Sequence, residues 1–357
     1  MYDIRKEHKN SKRKHKKMSH FSIIFGTRPE YLKLKPIINV FEKQTVYTFD
    51  VIYIQQHTSL AEKLEDHYDI LEIENEISTN RLCCIGAQIL IKLPKYITNS
   101  THIIVQGDTA TAYYSALTAF QLQKKIIHIE AGLRTYDLER PYPEEGYRQM
   151  ISRIANIHFT PHEDSSEVLI NEKVGGSVHM IGNTILDLVN SYGLESTRTN
   201  NVLITFHRRE NWDKIDILLE GLTKLVKKTP DLNYFWYLHP NPDLQEKVRE
   251  GIKGLSSIQL RNPCNHREFT EQIATANFII TDSGGIQEEA SFLGKHCIVL
   301  RSSTERSHIP REYITMLEDY TKLDEIYENI PKYRLDPCHV YGYGNSAENI
   351  MVYLQNG

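Results

Sequence analysis

Short apolar runs rich in β-branched and aromatic residues punctuate this chain, and helix-length amphipathic stretches separate them. In the first half the runs are Phe21–Phe25, Phe49–Ile54, His102–Val105, Ile126–Ile129 and Ile157–Thr160. In the second half they are Val202–Phe206, Tyr234–Leu238, Ile258–Leu260, Phe278–Thr281 and Cys297–Leu300. Continuous apolar runs mark strands buried on both faces, and their alternation with helices predicts parallel sheets. The expectation is an α/β chain with two doubly wound sheets of about five strands each, over residues 19–190 and 200–340, and a cleft between them. The polar, aperiodic stretch Asn190–Asn201 is the expected linker. Beyond Leu300 the alternation fades; in the closing segment 341–357, Tyr341–Gly344 reads as a turn and Ala347–Leu354 as a final helix.

At 357 residues the chain is long enough for two domains that each bury a core. The net charge of -4 conceals an asymmetry, because Arg5, Lys6, Lys9, Lys12, Arg13, Lys14, Lys16 and Lys17 all precede Met18. The body is therefore acidic, which argues against nucleic acid as the main partner, since that binding relies on neutralising phosphates. Residues 1–18 lack the apolar core of a secretory signal and are not the acid-free type of transit peptide. They are expected to be a disordered solubilising extension, or to precede a start at Met18; a nucleic-acid or membrane-surface tail is the alternative. No stretch approaches the roughly 20 apolar residues of a membrane span. The cysteines are five, with no CxxC, so neither a disulfide framework nor a zinc site is expected, and the chain reads as cytoplasmic.

In open parallel sheets ligands bind beyond the carboxyl ends of strands, where helix starts point. Gly26-Thr27-Arg28-Pro29-Glu30 follows the first run. It is either a phosphate cradle assisted by Arg28 and Lys33, or a structural turn with two solvated cations. Asp108 and Glu130 end two further runs, and Glu144 and Arg148 follow shortly after. Carboxylates converging on one cleft can divide acid and base roles, although each alone can equally cap a helix or pair with Arg134 or Arg148. His207 and His239 end matching runs of the second half, as functional groups or as hydrogen-bonded loop residues; they lack helical metal-pair spacing, and no HExxH occurs, so no metal is expected. Asp282-Ser283-Gly284-Gly285 opens a helix carrying Glu289. Asp282 or Ser283 can cap that helix, while the glycines admit a phosphate to its N–H groups and Glu289 reaches toward a ribose.

Taken in order, these residues resemble the non-hydrolysing UDP-N-acetylglucosamine 2-epimerases. The matching motifs are Gly26-Thr27-Arg28-Pro29-Glu30, Gln56-His57, Gly107-Asp108-Thr109, Glu130-Ala131-Gly132-Leu133-Arg134, Pro143-Glu144-Glu145, Gly182-Asn183-Thr184, His207-Arg208-Arg209-Glu210, Asp282 to Glu289, and Thr304-Glu305-Arg306. The resemblance implies a GT-B-like fold of two Rossmann-like domains, the second binding UDP, with the C-terminal helix packing back on the first. It implies elimination of UDP across C1–C2 of the sugar, a 2-acetamidoglucal intermediate, and re-addition that interconverts UDP-GlcNAc and UDP-ManNAc without a cofactor. Asp108, Glu130, Glu144, Arg148 and His207 match positions used in or around catalysis. Arg28, Lys33, Gln56, His57, His239, Ser283, Gly284, Gly285, Glu289 and Arg306 match substrate- or UDP-binding positions. Family members are commonly homodimers.

Three departures from the family pattern bear on function. Ser59 stands where many members have a glutamine that holds an activating second substrate. Ser307 replaces the proline after Thr304-Glu305-Arg306, and Tyr341-Gly342-Tyr343-Gly344 replaces Tyr-Gly-Asp-Gly. Competing readings are a hydrolysing 2-epimerase releasing ManNAc and UDP, an epimerase of a UDP-N-acetyl-6-deoxyhexose, a GT-B glycosyltransferase, and a non-catalytic nucleotide-sugar sensor. Retention of Asp108, Glu130 and Glu144 argues against the sensor.

Overall fold

The computed structural model describes residues 19–55, 68–74, 80–302, 304, 306 and 308–356. The basic leader, Gln56, His57, Ser59, Glu305 and Ser307 lie outside the described residues, as does the side chain of Glu210. Among the described residues no helix is long and apolar enough to cross a membrane.

Among the described residues thirteen strands form two sheets. The first half contributes β1 (His20–Phe25), β2 (Thr48–Gln55), β3 (Asp69–Glu72), β4 (His102–Gln106), β5 (Lys125–Ile129), β6 (Ile157–Thr160) and β7 (Ser177–Met180). The second contributes β8 (Asn201–Thr205), β9 (Asn233–Tyr237), β10 (Ile258–Arg261), β11 (Phe278–Thr281), β12 (Cys297–Val299) and β13 (Ile314–Met316). The orders are β3-β2-β1-β4-β5-β6-β7 and β10-β9-β8-β11-β12-β13, and the strand pairs run parallel. Both are doubly wound sheets, and each reverses direction once, between β1 and β4 and between β8 and β11. The architecture is GT-B-like, as the sequence leads one to expect.

The sheets carry seven and six strands rather than about five each. β3, β7 and β13 lie at sheet edges; β3 has one buried residue in four and β7 none, so neither needs a continuous apolar run. β13 has only three residues, too few to declare a period.

Apolar side chains from both faces of each sheet fill the core, with Ile23, Ile24, Ile103 and Ile104 fully buried in the first and Leu203, Ile204, Ile279 and Ile280 in the second. Burying one such side chain contributes roughly 1.5–3 kcal/mol. Two helices cross between the units. Thr184–Ser191 precedes the linker, yet Ile185, Leu186, Leu188 and Val189 pack with Leu203, Ile279 and Ala290 of the second sheet. The last helix, Ser346–Asn356, lays Ala347, Ile350 and Met351 against Phe21, Ile23 and Phe41 of the first. Asp187 ties the two, accepting from the Ser346 and Ala347 amides at 3.0 and 2.6 Å.

Candidate active site

The two reversal points place four loops: Gly26–Arg28 after β1, Gly107–Thr109 after β4, His207–Arg209 after β8 and Asp282–Ser283 after β11. Gly107 turns the chain with φ +69°, a conformation side chains disfavour. The ring of His128, neutral because burial takes its pKa down to about 3, donates Nε2–H to the Gly107 carbonyl at 2.8 Å. Glu30, almost fully buried, accepts from the Gly26 amide and the Thr27 and Thr109 hydroxyls at 3.1, 2.7 and 2.5 Å. One carboxylate thus locks both first-domain loops, and its burial raises its pKa against those three hydrogen bonds.

A buried charged network joins the domains. Lys33 Nζ donates to both Glu130 oxygens at 2.7 and 2.6 Å, and Gln106 also donates to Glu130. Asn183 Nδ2 donates to Glu288 at 2.7 Å and reaches Glu130 at 3.4 Å. Arg306 pairs with Glu288 at 2.7 Å and stands 3.8 Å from Glu130. Burial pushes the Glu130 pKa upward, but Lys33 and Arg306 outweigh it and hold the carboxyl below its ordinary value. Glu288, also buried, is pushed the other way: desolvation and the nearby Glu130 charge exceed what Arg306 returns. Lys33 is therefore paired with Glu130.

Asp108 accepts from Arg148 Nε at 2.6 Å, and Arg148 leans on the fully buried Glu145 at 3.2 Å. Glu145 also receives the Thr135 and Tyr136 amides and Gln149, so it positions Arg148 and the loop ahead of Glu144. Glu144 is half-buried; desolvation and then the Asp108 charge raise its pKa, while Arg148 and, from the second domain, Arg208 oppose the rise. One carboxyl held low at Glu130 and one held high at Glu144 is the divergence that acid and base roles require.

The second domain presents an open helix start. Ser283 is the N-cap of Gly284–Phe292, but no side chain caps it; this corrects the expectation that Asp282 or Ser283 does so. Asp282, fully buried, instead accepts from the His207 amide at 3.0 Å, the Arg208 amide at 2.9 Å and Asn211 Nδ2 at 3.2 Å. The first N–H groups of the helix thus lack a side-chain acceptor among the described residues, and space beside Gly285 stays open. His207 and His239 sit edge to face with ring centroids 5.6 Å apart, His207 bonding the Tyr237 carbonyl at 3.2 Å. Burial, then His207, lowers the pKa of His239.

Glu289 meets His266 Nε2 at 3.1 Å, and His266 in turn meets the Tyr192 hydroxyl at 2.9 Å. Arg28 reaches across to the Cys264 carbonyl at 3.4 Å. Asn183 and Glu288 stood inside the sequence motifs without assigned roles, Gln106 lay just ahead of one, and Asp282 was read as a helix cap. Their signal is burial of a polar group, which only the fold supplies.

Two doubly wound sheets, a cleft lined by first-domain acids and an uncapped helix start in the second define the GT-B-like class. The chain belongs to the UDP-N-acetylglucosamine 2-epimerase family, whose model matches residues 40–355. A UDP-N-acetylglucosamine 2-epimerase of Campylobacter jejuni is 34% identical over 384 aligned residues, covering 94% of this chain and 97% of the relative. The UDP-GlcNAc 2-epimerase of Neisseria meningitidis, solved bound to UDP-GlcNAc, superposes with a TM-score of 0.84 at 28% identity, over 95% of this chain and 100% of that one. That of Methanocaldococcus jannaschii, in complex with UDP-GlcNAc and UDP, gives 0.79 at 29% identity over 95% and 100%. MurG of Acinetobacter baumannii, 11% identical with a TM-score of 0.61 over 95% and 100%, shares the fold.

Proposed function

We propose that this protein epimerises C2 of a UDP-N-acetylhexosamine, UDP-GlcNAc to UDP-ManNAc, by elimination and re-addition of UDP. The observation that carries the reading is the uncapped start of the helix Gly284–Phe292 at one reversal point, with Asp108, Glu130 and Glu144 grouped at the other. The ligands of the Neisseria and Methanocaldococcus relatives support the same substrate class.

In the forward half the C2–H electrons form the C1=C2 bond as a first-domain carboxylate takes the proton. The C1–O bond breaks and its electron pair leaves with UDP, giving the 2-acetamidoglucal. In the return half a proton reaches C2 from the opposite face, and a UDP phosphate oxygen re-forms the bond to C1. Asp108, ion-paired with Arg148, suits the base; Glu144, with its raised pKa, suits the acid; Glu130 beside its two cations is the other proton-handling candidate. His207 stands beside the helix start, where charge builds on the leaving diphosphate. Ser283, Gly284 and Gly285 hold that diphosphate, with Arg28, Glu289, His239 and Arg306 around the nucleotide. No cofactor enters this scheme.

NMR of the purified protein with UDP-GlcNAc alone tests the proposal. The expected product is UDP-ManNAc. Free ManNAc with UDP identifies a hydrolase, and no change without an acceptor leaves a transferase or a sensor. A homodimer is proposed as well; sedimentation at the mass of a single chain rejects it.

A further inference from the structure

We propose that His162, Asp164 and His308 form a binding site for a divalent first-row transition metal, of zinc or cobalt type, that ties the two domains together. His162 follows β6 and N-caps the helix Glu163–Asn171, whereas His308 comes from the second domain just beyond Arg306. The two imidazoles lie face to face, with centroids 4.0 Å apart and 6° between their planes. The Asp164 carboxylate serves both: one oxygen is 3.2 Å from His308 Nδ1 and the other 3.5 Å from His162 Nδ1. One donor atom from each residue lies within 4.8 Å of the other two.

Ligands bonded at ~2.0–2.1 Å around a tetrahedral ion stand roughly 3.3 Å apart. The two nitrogen–oxygen separations, one to each carboxylate oxygen, fall near that spacing; what remains is for the carboxylate to turn one oxygen toward both nitrogens and for the parallel rings to splay so that their lone pairs converge. Two imidazoles and a carboxylate suit zinc and its neighbours rather than magnesium or calcium, which favour oxygen. The His162 ring, with 18% of its side chain exposed against 25% for His308, is the more enclosed of the two imidazoles. Its Nδ1 accepts the Asp164 amide at 3.2 Å, a cap hydrogen bond that metal ligation displaces. All three side chains are partly exposed, which gives an ion an entry path and leaves a fourth position for water. The three residues take no part in the proposed epimerisation, so the site stands or falls independently of it. Because its ligands come from both domains, a bound ion resists their opening.

Cobalt(II) added to the full chain tests this directly. The expected result is one bound equivalent with visible ligand-field absorption, displaced by zinc, and an affinity weakened about tenfold or more in His308→Gln and Asp164→Asn. His308→Gln is the decisive variant, because that ring caps no helix; an unchanged circular dichroism spectrum shows that it folds. Equal cobalt affinity in His308→Gln, or no saturable binding by the wild-type protein, overturns the site. Small-angle scattering tests the tie: zinc is expected to compact the wild-type protein and not His308→Gln, and binding without compaction refutes the bridging role.

Discussion

Glu130 combines an unfavourable backbone with a buried charge. Its φ of +62° is a left-handed conformation that a non-glycine residue holds only when its surroundings demand it. Here the demand comes from Lys33, Gln106, Asn183 and Arg306, which converge on one carboxylate. Glu130→Gln leaves Lys33 and Arg306 with one negative charge fewer, so it should cost on the order of 3 kcal/mol of stability, read as a lower denaturation midpoint. Solvent-deuterium incorporation at C2 of the sugar should fall with it. Lys33→Met in the Glu130→Gln background should restore part of the stability and none of the exchange, separating the structural from the chemical loss. Wild-type exchange in Glu130→Gln eliminates this residue as an essential base. Glu30 makes a prediction of the opposite sign. Its folded pKa is raised by burial, so its stabilising contribution is present at pH values below the ordinary carboxyl range and is lost as pH rises through the folded value. Glu30→Gln can keep the Gly26 and Thr27 hydrogen bonds through its oxygen and donate to the Thr109 hydroxyl. It should melt higher than the wild-type protein at neutral pH, with the gain shrinking as the pH falls. Equal melting temperatures at both ends of the titration refute this account.

At the level of elements, the strands flanking both reversal points are readable in the sequence because both their faces are buried, which forces runs such as Ile23–Phe25 and Phe278–Ile280 to be apolar throughout. The loops after them are readable for the same reason: Asp108, Glu130, His207 and Ser283 are the polar residues that end those runs. What stays hidden is which polar residue answers which. Asp282 has the form of a helix cap, and only the adjacency of β8 and β11 turns it toward the His207 loop. Likewise nothing in the chain announces that Asn183 and Glu288 meet, since their contact depends on the helix Thr184–Ser191 crossing to the second core. Asp282 is thus a positioning residue. Asp282→Asn keeps one oxygen for three donors, so the His207–Arg208 loop should shift while the helix start stays intact. The expected outcome is a fall in kcat of about 100-fold with UDP affinity near wild type, measured by calorimetry. An equal loss in both quantities places Asp282 in nucleotide binding instead.

On the scale of the whole molecule, polar and ionic contacts among the described residues span the cleft. They include Asn183 and Arg306 between Glu130 and Glu288, Arg28 on the Cys264 carbonyl, and the His162–His308 stack with Asp164 beside it, while the helices Thr184–Ser191 and Ser346–Asn356 link the two units. Polar interfaces of that kind open readily, because each group released into the cleft regains water. The proposed elimination needs the opposite state, with first-domain carboxylates and the second-domain helix start closed on one substrate and water excluded until UDP returns. Nucleotide binding at the helix Gly284–Phe292 should therefore draw the domains together, and small-angle scattering should record a smaller radius of gyration with UDP than without. Arg306→Ala removes the cation that stands between Glu288 and Glu130, leaving two buried carboxylates in proximity. Its UDP-free form should be more open than the wild-type protein, with UDP recovering only part of the difference. A radius of gyration unchanged by UDP and identical in Arg306→Ala means that the cleft is static, and the separation of water from the proposed glucal must then come from the cleft walls rather than from closure.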